Sequence, residues 1–322
     1  MKIITIVLFV VLSLIASENK KVQFELSIGK YTLKANEYVY KQNNYKKSND
    51  KLSHLIWNID DANIINAKFV LALNTKSKLY VGANLGLGLD GSGYMDDFDW
   101  LCGSSNYSCQ ETSWSHFSHS PNTKVSDITK KKLFLKKELF DKTIVSNIYV
   151  GFRHDEFEFV SYNRGTNYIY TSENTTNFRD IISTDNSSLA KSKGITYRQT
   201  YSGLYVGLEA EKTIQNTNLS LKIEYSPLIS LNAYDNHHNT NIQYKETYYS
   251  FSSMIDIDLQ ISTNIKKDLD IFLWYNYLKY YLNDTGQTDY YDHGNYVGSS
   301  IVANAGASLD TSSLNIGLVS KF

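Results

Sequence analysis

Asp97 and Asp99 stand one residue apart in the stretch GYMDDFDW, and Asp96 adds a third acid to the same four positions. Asp235 and His237 repeat the spacing in AYDNHH. In an extended chain, residues i and i+2 share a face, so each stretch presents two side chains together. A carboxylate beside an imidazole orients the ring and favours its charged form, and such a pair is a ready general base. Two carboxylates held close titrate as a coupled pair, one keeping its proton more tightly. Facing each other across a cleft, the acid pair and the dyad can lodge a water and draw a proton from it. That water would attack a peptide carbonyl with no serine or cysteine nucleophile. Taken singly, each stretch reads equally as a solvated loop, and the acidic one also as a calcium-binding loop. Ser118 in WSHFSHSPNT reads as a loop-stabilising hydroxyl, and His238 and His293 as support residues near the same rim.

Two pairs so far apart in sequence need a scaffold that brings them to one place. Residues 78–89, KLYVGANLGLGL, alternate apolar side chains with Tyr, Gly and Asn. The stretches LYVGLEAE, NLSLKIEY and the terminal LNIGLVSKF do the same. Period two means strands with one apolar face. The extended candidates 53–73, 143–162, 195–213, 217–234, 243–265 and 268–283 exceed the usual length of about 5–6 residues for a globular strand. Long strands joined alternately by short turns and long polar connections predict a transmembrane β-barrel, legal in lipid because closure pairs every backbone group. Short turns are expected at Asn74–Ser77, Phe140–Lys142, Ile214–Asn216 and Asn264–Lys267, and long connections at 36–51, 90–127, 163–194, 235–242 and 284–297. The fold class is therefore all-β, a ten-stranded antiparallel transmembrane barrel with long extracellular loops. The even count puts both termini on the periplasmic side and all five long connections outside, so the aspartates and AYDNHH open onto one rim.

The first residues, MKIITIVLFVVLSLIASENKK, have the charged start, short apolar run and small-residue exit of a secretory signal peptide. The expectation is a signal peptide at 1–16 and one barrel domain at 17–322. A formal net charge of −1 argues for no nucleic-acid partner, and 26 tyrosines with only 2 prolines suit strands at a water–lipid boundary. In an exported chain Cys102 and Cys109 can form a disulfide closing a short loop, with free thiols as the alternative. Two ligands alone make no zinc site.

These motifs together resemble the omptins, a family of bacterial outer-membrane proteases. The family's acidic couple matches Asp97-Phe98-Asp99-Trp100, and its dyad matches Asp235-Asn236-His237. NYIYTSENTTNFRD at 167–180, ETYYS at 246–250, YDHG at 291–294 and SHLIWNIDDANIINAKF at 53–69 carry the likeness along the chain. The resemblance implies a monomeric endopeptidase at the cell surface with catalytic Asp97, Asp99, Asp235 and His237. Its substrates would be peptides or proteins with basic residues at the cleavage site. It implies activation of water directly, with no cofactor and no metal. Of the two acids that receive the basic side chain, one matches Glu37 and the other falls on Ala233, so a broadened basic preference is expected. The family's lipopolysaccharide site aligns with Phe152, His154, Glu156, Thr200 and Tyr244, where only the aromatic survives. A different glycolipid of the outer membrane, or none, is expected there. The competing reading is a catalytically inactive barrel of the same build serving as adhesin or receptor. A diffusion porin is the third reading and is disfavoured by strand number, since a ten-stranded barrel fills much of its lumen with side chains, unlike a water channel of about 16–18 strands.

Overall fold

The computed structural model describes residues 22–40, 51–100, 114, 116–141, 144–163, 167–170, 183–184, 192–301 and 303–322. The expected signal segment, Cys102 and Cys109 lie outside the described residues. The strands are β1 (Val22–Tyr40), β2 (Lys51–Asn74), β3 (Leu79–Asp99), β4 (His116–Asp141), β5 (Val145–Tyr162), β6 (Asn167–Tyr170) and β7 (Ser183–Thr184). They continue with β8 (Lys193–Ile214), β9 (Thr217–His237), β10 (Ile242–Tyr248), β11 (Ser252–Lys266), β12 (Leu269–Asp292), β13 (Asn295–Ser299) and β14 (Ala305–Lys321). All pairings are antiparallel, in the order β3-β2-β1-β14-β12-β10-β9-β8-β5-β4, and β3 pairs with β4 to close the ring. β10 and β11 form one stave interrupted at 249–251, since both lie between β9 and β12. The barrel thus has ten staves, as the sequence predicts, with β6, β7 and β13 as extensions at one end.

The turns at 75–78, 215–216 and 267–268 gather at one end with the chain terminus. Lys78, Gln215 and Asp268 take positive φ there, 52°, 55° and 62°, the backbone twist that short hairpins require. Above them runs a girdle of outward apolar side chains, including Leu26, Leu133, Leu204, Leu221, Leu259, Leu273 and Ile316, all more than two-fifths exposed. Exposed aliphatic side chains in this number need lipid around them. At the same depth the lumen is charged and full. Arg153, wholly buried, bonds Asp155 at 2.6 Å and Asp256 at 3.0 Å. Lys132 reaches Glu224 at 2.7 Å and Asp256 at 2.6 Å. Lys222 reaches Glu224 and Asp258, each at 2.8 Å. Each charge is paired, which is the condition for burying it, and the network plugs the barrel.

Above the girdle the inner face turns apolar. Trp57 is fully buried between Phe159 and Tyr197, with ring centroids 5.7 and 5.8 Å away. Tyr201 stacks on Tyr280 at 3.8 Å. This layer is the floor on which the outer cleft stands.

β-Bulges let the same strands serve both levels. On β9 the inward residues are Glu224 and Ser226 low down, then Ile229, Leu231, Ala233 and Asp235. The change from even to odd falls at a register shift opposite Gly203, where one extra residue is accommodated. Pro227, lacking a ladder donor, sits in it, and Ser226 Oγ accepts from the Leu228 amide instead, at 3.0 Å. β3 makes the same change beside Leu89. Pro121 occupies a third shift, opposite the Gly93–Met95 step. A side chain on Gly93 would meet the Asn58 carbonyl oxygen at 1.9 Å, and one on Gly203 the Leu228 carbonyl oxygen at 2.2 Å. Both of the chain's prolines therefore mark bulges that face a glycine.

The bulges also correct the expected boundaries. Broken alternation at 88–91 reads as the start of a long connection over 90–127. Instead β3 runs through Asp99 and β4 begins at His116. Likewise β1 extends to Tyr40, β9 to His237 and β12 to Asp292, where loops are expected from 36, 235 and 284. The predicted functional residues are on strands, not loops.

Candidate active site

Asp97 and Asp99 point inward from the top of β3. Register links the neighbouring strands: Asp97 pairs with Leu55 on β2, and Leu55 pairs with Glu37 on β1. Ser53, directly across from Asp99, donates its hydroxyl to Asp97 Oδ1 at 3.3 Å. On the other side β4 sets Ser118 opposite Asp97 and His116 opposite Asp99. Asp96, the third acid of the cluster, is on the alternate face and pairs with His119 Nδ1 at 2.7 Å. The crowding in the sequence is relieved by sending one carboxylate outward.

β9 stands across the lumen from β3, and its top carries the other pair. Asp235 is 2% exposed, and its Oδ2 accepts from His237 Nε2 at 2.7 Å. In the neutral imidazole, donation from Nε2–H to this carboxylate leaves the lone pair on Nδ1. Asp235 Oδ1 has no hydrogen-bond partner. Tyr244 on β10 pairs with Asp235 and meets the His237 ring edge to face at 5.4 Å. Tyr244 is thereby an inward residue of the cleft, which corrects its alignment with an outer-surface lipid site. Phe152, His154, Glu156 and Thr200 do face outward, flanking the inward Arg153, Asp155, Phe157, Gln199 and Tyr201.

These groups stand above the lipid girdle and sense one another. Burial, then the charge of Asp99, pushes the Asp97 carboxyl up to about 8, while His237 pulls it down. Burial also raises Asp99. Burial lowers His237, but the charge and hydrogen bond of Asp235, joined by Asp97 and Asp99, raise it above the ordinary value. The acid pair and the dyad therefore lie within electrostatic reach across the cleft, with the acid pair holding a proton near neutrality. Burial lowers the nearby His116.

Deeper in the cleft, Glu37 is 3% exposed and its Oε2 has no hydrogen-bond partner. Ala233 supplies only a methyl group. Directly across from it on β10 is Glu246, 2% exposed. Burial, then the charges of Asp235 and Glu246, raises the Glu37 carboxyl well above the carboxylate range. Sequence reasoning missed His116, Ser53 and Glu246 as members of this cleft. Glu246 was legible in principle: a hairpin pairing His237 with Ile242 fixes Ala233 opposite it.

The profile of the Omptin family matches residues 18–322. The chain is 25% identical to Protease 7 of Escherichia coli strain K12 over 279 residues, covering 84% of this chain and 81% of that protein. It is 24% identical to the plasminogen activator of Yersinia pestis over 262 residues, covering 79% and 74%. Among solved structures, the outer membrane protease OmpT from E. coli superposes with a TM-score of 0.80 at 21% identity, over 95% of this chain and 99% of that one. With a ten-stave barrel and a family match that spans the whole described structure, the chain belongs to the omptin family.

Proposed function

We propose that this outer-membrane barrel is a surface endopeptidase of the aspartic type, hydrolysing peptide bonds with a water held between Asp97–Asp99 and Asp235–His237. The observation that carries the reading is the dyad, 2.7 Å between His237 Nε2 and Asp235 Oδ2, facing an acid pair whose titration it shifts. In this scheme His237 Nδ1 takes a proton from the water as the oxygen attacks the carbonyl. Asp235 steadies the imidazolium that forms. The proton kept by the acid pair is donated to the developing oxyanion. As the tetrahedral intermediate collapses, the carbonyl re-forms and returns that proton, the C–N bond breaks, and the His237 imidazolium gives its proton to the leaving amine. The relatives named as proteases support peptide or protein substrates.

The same reading assigns residues 1–16 to a signal peptide and 17–322 to a monomeric barrel. It needs no metal or cofactor, and a glycolipid bound at the outer surface is an accessory at most. Unpaired, buried Glu37 favours a basic side chain at the cleavage site. The test is cleavage of a quenched basic peptide by cells displaying the protein. His237→Ala and Asp97→Asn should each abolish the signal while the barrel still reaches the surface. Cleavage by either variant equal to that of the wild type refutes the catalytic assignment of that residue, while a wild type that reaches the surface and cleaves no peptide favours an adhesin or receptor.

A further inference from the structure

We infer that Glu246 is a specificity-determining residue, supplying with Glu37 a two-carboxylate pocket for a cationic substrate side chain. The inference rests on the proposed peptidase reading and adds to it a residue on a different strand. Ala233 and Glu246 are direct cross-strand partners, and such partners project to the same face with Cβ atoms about 4.5–5.5 Å apart. Ala233 sets only a methyl group beside Glu246. Tyr248, two residues below on the same face, donates its hydroxyl to Glu246 Oε2 at 2.6 Å and fixes the carboxyl.

Neither Glu37 nor Glu246 forms an ion pair among the described residues, in contrast to Asp155, Glu224, Asp256 and Asp258 of the charged network below, each matched to Lys or Arg. Glu37 Oε2 is buried without a hydrogen bond, and the group near enough to act on the carboxyl as a donor is the neutral Trp57 indole, which supplies no charge. Two unmatched acids in a dry cleft floor are costly, and a guanidinium reaching in from solvent satisfies both. Burial raises Glu246 as it raises Glu37, so the arriving cation displaces a proton and the pocket is loaded only by a positively charged partner. A carboxylate on β10 thus occupies the role that Ala233 on β9 cannot fill.

The test uses the full-length barrel and two peptides identical except for Arg or citrulline before the scissile bond. Wild type should favour Arg in kcat/KM. Glu246→Gln should lower the Arg-to-citrulline ratio at least tenfold, and adding Ala233→Asp should restore it by returning an acid from the facing strand. Ala233→Lys, which pairs with Glu246 in place, should abolish the preference without altering Glu246 itself and covers failure of the first variant to fold. Heat-modifiable migration on gels verifies folding. An unchanged ratio in folded Glu246→Gln or Ala233→Lys overturns the inference, while cleavage abolished by His237→Ala leaves the peptidase reading intact. Absence of cleavage of either peptide by wild type overturns both.

Discussion

Asp235→Asn isolates the work of the buried carboxylate in the dyad. Asp235 is 2% exposed and lies 2.7 Å from His237 Nε2, and a hydrogen bond to a charged group contributes about 1.5–3 kcal/mol. At about 1.4 kcal/mol per decade, loss of that bond alone predicts a fall in kcat of about 10- to 100-fold. The amide adds a second effect. Its nitrogen donates to Nε2 and moves the imidazole proton to Nδ1, removing the lone pair that takes the proton from water. The same swap in a serine-protease triad costs about 10⁴, so the expected loss lies between these bounds. The pH profile separates the two contributions. The charge of Asp235 is the largest influence raising His237, against burial, which lowers it. Without it the imidazole deprotonates at lower pH, and the rising limb of the rate profile moves toward acid. The falling limb, set by an Asp97 carboxyl at about 8, stays near pH 8 or moves slightly down. Steady-state cleavage of a quenched peptide from pH 5 to 10 measures both limbs. A loss under threefold, or a rising limb that does not move, refutes the dyad as the proton acceptor.

Two further predictions concern the scaffold. Deleting Leu228 straightens the bulge at Pro227 and leaves Asp235 and His237 inward, so cleavage persists. Deleting Asn232, beyond the bulge, turns both outward and abolishes cleavage in a barrel that still folds; equal effects of the two deletions would show that the bulge does not set the facing. Arg153→Ala strips from Asp155 the only guanidinium bound to it among the described residues and leaves Asp256 with Lys132 and the Asn276 amide. Breaking a buried pair from one side costs about 3–5 kcal/mol, measured by denaturant unfolding in lipid vesicles, and a change below about 1 kcal/mol would remove the network from the barrel's stability.

How much of this was legible in the sequence follows from the physics of alternation. Leu79 to Leu89 and Leu219 to Tyr225 show the period of two because one side meets lipid and the other a polar lumen. Ten staves and their polarity follow from such runs and the short turns between them. The outer cleft is harder to read, since both sides there meet water or mixed core, and the bulges at Leu89, Pro121 and Pro227 shift the period midway. Asp97, Asp99, Asp235 and His237 were found because i, i+2 spacing survives a misplaced strand end. Glu246, His116 and Ser53 were not, because each belongs to the cleft only through a partner on a neighbouring strand. Register is a long-range quantity that local patterns do not carry.

In the proposed scheme two side-chain pairs on facing walls act on one water, and a double-mutant cycle on Asp97→Asn and His237→Ala distinguishes joint from separate action. If they act as a unit, each single change removes nearly all of kcat/KM and the double variant is no slower than the worse single. Losses that multiply in the double variant would mean that the two walls contribute independently, and the shared-water account would be wrong.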